Sequence, residues 1–486
     1  MFQRVAIQRT QLAVSLGRRH ASSFRQPFKF RLINNRVQAV VGVSVVSILA
    51  IGAAGAMLNT GMHMWLEYHL RRLKADVDSE TRAWGWDSEA ERWTGDPERG
   101  GTDSALGRKG RQAVRNAWFS DKRPEKYGPL DADEGQGAAN MVDALLLRTE
   151  ASLRSAIAYA ETPDIVGNLH PSTLVDLLTK RAAVLERLGP SHLGESRAQY
   201  ERVWSLLGGR GFQAARIAVK LGDISQRLGD GPEALVWWAR AISLVNDDRS
   251  GSLVPTVPPA PPSPPVAQRI LVSALLSLSA FYAMARQLTQ ARQIEEGSLD
   301  LLRSIPPPES LASASPPQAL HSLSLLHRSA ILSMHLAEVL YAQRVPVAEC
   351  LQRLQAAATS SERVAYALVG TSVRDSEQLA PSPEDPLLAE YIDNPYLEKP
   401  ASDLLRDARR SAADTWNLMG DLTERLGPSH RQLAFEYYQR AIGWAGKTNE
   451  KGILEPAGST LRDDWTLIWR NYTRMKQVVQ PVPETK

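Results

Sequence analysis

The sequence holds one cysteine, Cys350, and few aromatic side chains. A single thiol excludes an intramolecular disulfide and a zinc site built on several cysteines. Cys350 lies in an apolar stretch, so we interpret it as a buried, unreactive side chain. Aromatic residues make up only 7% of the chain, while alanine and leucine are abundant. That balance favours helices over sheets.

The chain also lacks the short motifs of common catalytic sites. It has no glycine-rich phosphate loop, no GxSxG nucleophile motif and no HExxH metal motif. His335 and Glu338 are spaced like a metal-binding pair, but zinc needs three or four donors. The sequence therefore predicts a protein that is not an enzyme and that has no catalytic residue, metal or cofactor.

No aspartate or glutamate precedes Glu67, and residues 1–36 carry eight lysines or arginines. An acid-free, arginine-rich, serine-containing segment with an amphipathic pattern is typical of a mitochondrial presequence. A basic tail on a membrane protein is the alternative. Without those eight, 49 of the chain's 57 basic residues remain against 53 acidic ones. This balance gives no electrostatic basis for binding nucleic acid.

Residues 37–58 form an uncharged, largely apolar run of 22 residues, which predicts one transmembrane helix within 37–60. A buried helix of a soluble protein seldom runs so long without a charge. A secretory signal has a shorter apolar region nearer the N-terminus. Because basic residues crowd the N-terminal flank, we expect the N-terminus in the matrix. The C-terminal body of this single-pass inner-membrane protein would then lie in the intermembrane space.

Residues 61–137 are interpreted as a tryptophan-containing connector. Trp84, Trp86, Trp93 and Trp118 lie there among glycine and proline steps. Turn residues mixed with tryptophan are typical of an irregular segment docked on another surface. We favour docking onto the rest of the chain, and contact with a partner or with the membrane surface is the alternative.

Residues 212–245 show helical periodicity twice, with a break at 229–232. Apolar residues recur there at steps of three and four, and a proline suits the first turn of the second helix. Gly222 and Ala234 would lie where the two helices cross. The stretch therefore predicts a helix–turn–helix hairpin, which needs neighbours because one hairpin cannot bury its own apolar face.

Seven residues, 186–192, recur letter for letter at 424–430. Each copy ends one apolar helical run and precedes another, which indicates internal repetition. Weaker hairpins are predicted over 271–302 and 318–368. The body as a whole is predicted over 138–477, with a proline-rich insertion at 249–266, capping helices over 140–161 and 464–476, and a disordered tail over 478–486.

The hairpin at 212–245 resembles a tetratricopeptide (TPR) repeat. The residues at the family's small and large positions are Leu221-Gly222, Ala234, Trp238 and Ala241, and in the later copy Trp416, Met419-Gly420, Ala434, Tyr438 and Ala441. Ser225 departs from the pattern, since an aromatic residue is usual there, and no proline closes the repeat. The resemblance implies an all-α fold, a TPR-like α-solenoid of helical hairpins preceded by a single transmembrane helix.

The order of parts resembles the fungal TPR-containing adaptor subunits of the mitochondrial inner-membrane i-AAA protease complex. This resemblance implies a substrate adaptor in protein quality control, which binds unfolded or membrane proteins and delivers them to the protease. Its partners would be AAA protease complex subunits and those substrates. Two alternatives stay open: an assembly or stability factor for a respiratory-chain complex, and an enzyme on a helical scaffold.

In TPR arrays the first helix of each hairpin lines the concave face. By alignment to the hairpin at 212–245, the residues that would point into this groove are Arg216, Asp223, Gln226, Arg227, Glu186, Arg187, Asn417, Asp421, Glu424 and Arg425. A charged, hydrogen-bonding groove suits an extended peptide or an unfolded segment. A plain solvated face is the alternative for each residue taken singly.

Overall fold

The computed structural model describes residues 57, 60–71, 77–89, 93, 100–127, 136–246, 254–311, 313–371, 386–448, 454–456 and 462–480. The predicted presequence and all of the uncharged run but Met57 lie outside them. The chain divides into two compact units, Met1–His69 and Leu70–Lys486. In the first unit, residues 60–69 are helical.

The second unit is helical apart from one short strand pair among the described residues. Its helices are α1 (Ser79–Ala83), α2 (Gly107–Tyr127), α3 (Gln136–Ala160), α4 (Pro163–Val166), α5 (Pro171–Leu188), α6 (Leu193–Leu206), α7 (Gly211–Arg227), α8 (Gly231–Val245), α9 (Pro265–Met284), α10 (Leu288–Arg303), α11 (Pro316–Ala342), α12 (Val347–Val369), α13 (Ala389–Ile392), α14 (Glu398–Glu424), α15 (Arg431–Ala445) and α16 (Arg462–Val479). One-turn 3₁₀ helices lie at Ser104–Leu106, Pro190–His192 and Pro428–His430. Strands β1 (Gly446–Thr448) and β2 (Leu454–Pro456) pair antiparallel with Lys447 opposite Glu455.

The hairpin predicted over 212–245 is confirmed as α7 and α8. The turn begins α8 with Asp230, whose carboxylate accepts the backbone N–H of Glu233, and Pro232 occupies the first turn. This is the capping chemistry expected at a helix start. Gly222 packs against the fully buried Trp238, so the two helices approach closely at the small residue.

The repeated seven-residue sequence folds alike in both places. Gly189 and Gly427 adopt φ of 106° and 118°, a region that only glycine enters at little cost. Each glycine is followed by a 3₁₀ turn and then by the second helix of its hairpin. The identity of 186–192 and 424–430 therefore reflects one turn used twice.

The weaker hairpins are also helical pairs, α9 with α10 and α11 with α12. The break between α11 and α12 spans residues 343–346 and includes Pro346. Helix α9 begins at Pro265, and α11 begins at Pro316, so each starts earlier than its sequence pattern indicated. Proline fits the first turn because the N–H it lacks would have no partner inside the helix.

The interpretation of the tryptophan-containing part of the connector as irregular is wrong for α2. This helix packs against α3, and Val114 and Ala117 are fully buried. Gly107, Gly110 and many charged residues obscured its short apolar stripe. The other part of the interpretation, docking onto the body, is confirmed, because all four connector tryptophans pack into or against its apolar core.

Helices of the second unit pack mainly on their neighbours in sequence. In addition, α7 contacts α9, α9 contacts α11, and α11 contacts α14. These four helices are called the inner row below. At the C-terminal end α16 packs on α15 and α14, where the sequence predicts a capping helix.

By length and composition, one helix of the described residues, α9, is apolar enough to cross a membrane. Most of its apolar window, 72%, is buried inside the body. Packing against neighbouring helices therefore takes up the apolar surface of α9.

Candidate polypeptide-binding groove

A cleft of about 1040 Å³ opens along the inner row. Among the described residues, seven lysine or arginine side chains and five aspartate or glutamate side chains line it. The cleft is therefore basic by two charges, whereas the chain beyond residue 36 is slightly acidic. An excess of one sign in a concave site attracts the opposite charge.

Helix α7 contributes one face to the cleft. Arg216, Val219, Lys220 and Asp223 are three or four residues apart, a spacing that aligns side chains along one side of a helix. Two of the predicted groove residues, Arg216 and Asp223, thus line the cleft. The carboxylate of Asp223 accepts the indole N–H of Trp238 at 3.1 Å, while burial raises its pKa.

The connector enters the cleft with a carboxylate. Arg269 of α9 donates from Nε to Glu89 Oε1 at 2.8 Å, and Arg216 of α7 pairs with the same oxygen. Arg216 also donates to the carbonyl oxygen of Ser88 at 2.7 Å. The Arg269 side chain is only 8% exposed. A buried charge is costly unless it is paired, so the carboxylate of Glu89 stabilises the charged guanidinium.

The segment before this carboxylate is held by its backbone and by an aromatic ring. Arg269 donates from Nη2 to the carbonyl oxygen of Trp84 at 3.1 Å. Its guanidinium carbon lies 3.8 Å from the centroid of the Trp86 ring, a cation–π contact. Trp86 donates its indole N–H to the carbonyl oxygen of Pro317 at 2.9 Å. Residues 84–89 are called the docked segment below.

A neutral histidine orients Arg269. The guanidinium donates from Nη1 to Nδ1 of His321 at 3.0 Å, and His321 Nε2 lies 3.0 Å from Oε1 of Gln268. Burial, together with the charge of Arg269, lowers the pKa of His321 to about 3. The imidazole is therefore neutral at physiological pH, with its proton on Nε2, where it donates to Gln268.

Arg328 of α11 also lines the cleft and is half-buried. It has no hydrogen bond or ion pair with any other residue that the structure describes. Burial lowers its pKa, and the charges of Asp407 and Glu89 oppose that shift. Its guanidinium donors are thus available to an occupant of the cleft.

The cleft offers guanidinium donors to carboxylates and to main-chain carbonyls, and a ring face to a cation. No protein-family model and no curated protein matches the chain. No group of three or more histidine, cysteine or acidic residues suited to a metal occurs among the described residues. A functional interpretation therefore depends on the polar geometry of the cleft itself.

A second network joins Lys220 of the cleft lining to the hairpin of α5 and α6. The hydroxyl of Tyr200 donates to Glu186 at 2.8 Å, and Lys220 and Arg227 lie 3.5 and 3.6 Å from the other carboxylate oxygen. Burial and the charge of Glu186 raise the pKa of Tyr200 well above its usual value. Glu186 and Arg227 therefore join α5 to α6 and α7.

The remaining early candidates, Arg187 and Gln226, do not line the cleft either. Arg187 pairs with Asp121 of α2 at 2.7 Å, which connects two hairpins. Gln226 is half-buried near the end of α7. Of the four predicted groove residues on α7, two line the cleft and two do not.

In the later copy, the C-terminal helix covers two candidates. Arg474 of α16 donates from Nη2 to Glu424 at 2.6 Å, and Asn471 donates to Asn417 at 3.0 Å. The hydrogen bonds and charge of Arg474 lower the pKa of Glu424 against the opposing effect of burial. These two residues hold α16 in place.

The last two candidates pair with each other. Arg425 donates to Asp421 at 2.9 Å and to the hydroxyl oxygen of Tyr341 at 3.2 Å. The pair links α14 to α11, and neither residue lines the cleft. The structure thus does not bring the predicted groove residues together in one site.

Sequence reasoning missed Glu89, Arg269 and Arg328. Glu89 is 180 residues from Arg269 in the chain, and no local pattern signals their contact. The two arginines lie in α9 and α11, whose hairpins depart furthest from the TPR pattern. The available signal was a lone arginine in each of two otherwise apolar helical stretches, since such a charge requires a partner.

Proposed function

We propose that the chain is a membrane-anchored protein-interaction module that binds polypeptide segments in the cleft of the inner row. The observation that carries this proposal is the docked segment, a stretch of polypeptide held in the cleft by two arginines of the inner row. Arginine donors that reach main-chain carbonyls recognise any polypeptide backbone, which suits a module with varied clients.

We further propose that the hairpins form a TPR-like α-solenoid. Three hairpins share a polar clasp between an acid of the first helix and an aromatic donor of the second, fourteen or fifteen residues later. The clasps are Tyr200–Glu186, Trp238–Asp223 and Tyr438–Glu424. A device repeated at equivalent points supports one structural unit used several times.

The proposed setting is the mitochondrial inner membrane, with one span and the body in the intermembrane space. The module is a substrate adaptor that presents unfolded or membrane proteins to an AAA protease. Support comes from the basic, acid-free N-terminus, from the uncharged run and from the resemblance in the order of parts.

Crosslinking and co-purification from detergent-solubilised mitochondria test this proposal. The tagged wild-type chain is compared with Arg328→Glu in the cleft and with Arg303→Glu, an exposed control that pairs with Asp300. AAA protease subunits and unfolded membrane proteins should accompany the wild type and the control. Arg328→Glu should lose client proteins by roughly tenfold, the effect of about 1.4 kcal/mol.

Recovery of respiratory-complex subunits without any AAA protease would refute the adaptor role. Protease digestion of mitoplasts tests the orientation separately. The body should become accessible once the outer membrane is ruptured, and a body that stays protected contradicts its placement in the intermembrane space.

A further inference from the structure

One acid pairs with two arginines of the inner row, and a third arginine lines the same cleft. Glu89 pairs with Arg216 of α7 and with Arg269 of α9. Arg328 of α11 lines the cleft without an ion pair to a described residue, and the charge of Glu89 opposes the effect of burial on its pKa. Asp407 is the other acid whose charge supports Arg328.

The occupant of this arginine group is recognised as polypeptide and not as a bare anion. The donors reach two main-chain carbonyl oxygens, those of Trp84 and Ser88, besides the carboxylate. Trp86 stacks on Arg269 three residues before the acid. The arginines of the inner row therefore contact an aromatic ring, two backbone carbonyl groups and a carboxylate within the six residues of the docked segment.

We propose that the docked segment is an internal ligand, and that the external ligand of the cleft is an acidic segment of a partner protein that adopts the same turn. This partner segment takes the place of Glu89 between Arg216 and Arg269 and carries an aromatic residue three positions before its acid. The inference rests on the proposed function, and it specifies the chemistry by which the cleft recognises a client.

Charge favours such a ligand. The cleft is basic by two charges, and Arg328 has guanidinium donors that no described residue fills. An acidic segment with a second carboxylate satisfies both Arg328 and the arginine pair. The internal ligand competes at an effective concentration in the millimolar range because it belongs to the same chain.

The test measures binding of a fluorescein-labelled peptide that copies residues 83–89 to the full-length chain in detergent micelles. Glu89→Gln weakens the internal ligand and leaves the arginines in place. We expect the peptide to bind the Glu89→Gln chain at least about tenfold tighter than the wild type. The same peptide with glutamine as its last residue should bind about tenfold more weakly.

Two further variants locate the binding. Adding Arg328→Ala to Glu89→Gln should reduce peptide affinity about tenfold, whereas adding Arg303→Ala should leave it unchanged. Circular dichroism melting confirms that each variant keeps its helices. Trp86→Ala with Glu89→Gln frees the cleft more fully, and this chain should bind the peptide most tightly.

The proposal is overturned if the peptide binds the wild-type and Glu89→Gln chains with equal affinity. It is also overturned if the peptide binds neither Glu89→Gln nor Trp86→Ala with Glu89→Gln while both variants are folded. Inorganic phosphate serves as a competitor. If phosphate displaces the labelled peptide as well as unlabelled peptide does, the cleft is a general anion site and the proposal is wrong.

Failure of this inference can be told from failure of the proposed function. If the recovery of client proteins depends on Arg328 but the peptide does not bind, only the internal-ligand proposal is refuted. A peptide that binds as expected, without any client or protease in the co-purification, refutes only the adaptor function.

Discussion

A Cβ atom on Gly222 would lie 2.4 Å from Nε1 of Trp238. Gly420 and Tyr438 repeat this relationship, since a Cβ on Gly420 would lie 2.6 Å from a carbon of the tyrosine ring. In both hairpins the absence of a side chain on the first helix makes room for a ring on the second. The separation of the paired helices is therefore set by glycine.

Gly222→Ala should destabilise the chain although alanine is the better helix former. The added methyl group forces Trp238 or the helix to move, and overpacking of this kind costs about 1–3 kcal/mol. Urea unfolding followed by circular dichroism measures the change. Gly194→Ala in α6, where a Cβ meets nothing within 4 Å, is the matched control and should be neutral or slightly stabilising. Equal stability of the two variants would contradict the packing argument.

Glu295→Gln should stabilise the chain, increasingly so towards high pH. Glu295 is fully buried, and neither carboxylate oxygen has a hydrogen-bond partner among the described residues. Burial, then the charges of Glu338 and Glu296, raise its pKa from 4.5 to about 8. The folded chain holds a proton that the unfolded chain releases, so this contribution to stability is full below pH 4.5 and is lost as pH rises through 8.

The measurement is the free energy of unfolding between pH 5 and pH 9. The wild type should lose stability across this range, and Glu295→Gln should flatten the loss, with a gain of roughly 4 kcal/mol by pH 8. The exposed Glu309→Gln serves as control. A wild-type pH profile unchanged by Glu295→Gln would show that this carboxyl does not titrate as described.

Glu362→Ala should be among the most damaging single substitutions. Its buried carboxylate accepts the indole N–H groups of Trp416 at 2.7 Å and Trp444 at 2.8 Å, and it pairs with Arg440 at 2.8 Å. Removal leaves the two buried indole donors without their acceptor, at a cost of about 3 kcal/mol. Thermal unfolding should show it, while the exposed Glu349→Ala in the same helix changes little. A small and equal loss of stability in the two variants would show that Glu362 does not stabilise the fold.

Tyr200→Phe and Tyr438→Phe should cost similar amounts, about 1 kcal/mol each. Both hydroxyl groups donate to an acid fourteen residues earlier, Glu186 and Glu424. Tyr437→Phe is the control, since its hydroxyl makes no hydrogen bond to a described residue. Denaturant unfolding of the three variants tests whether the two clasps are equivalent, and a cost at one tyrosine but none at the other would argue against a common structural unit.

Local sequence patterns were enough to predict the helices whose apolar residues recur most regularly. The break at Gly229–Pro232 and the repeated seven residues marked turns because glycine and proline chemistry is local. Helix α2 escaped notice because its charged residues outnumber a narrow apolar stripe around Val114 and Ala117. Tertiary burial, which decides such a helix, is not visible in a window of a few residues.

Only some of the residues predicted to line a groove lie in the cleft. Arg216 and Asp223 follow from helix geometry, since they share the cleft face of α7. Glu424 was assigned to the same surface, yet Arg474 from the C-terminal helix covers it. Contacts between distant parts of the chain, such as that of Glu89 with Arg269, depend on the full path of the backbone. The spacing of residues in the sequence does not predict them.

The docked segment has a consequence for how the body melts. In a stack where each hairpin touches only its neighbours, the ends fray first and loss of order spreads one unit at a time. Here one short stretch bonds to Arg216, Arg269 and the carbonyl of Pro317, which belong to three different hairpins. The stretch works as a brace across them, so these three hairpins lose their order in a single cooperative step.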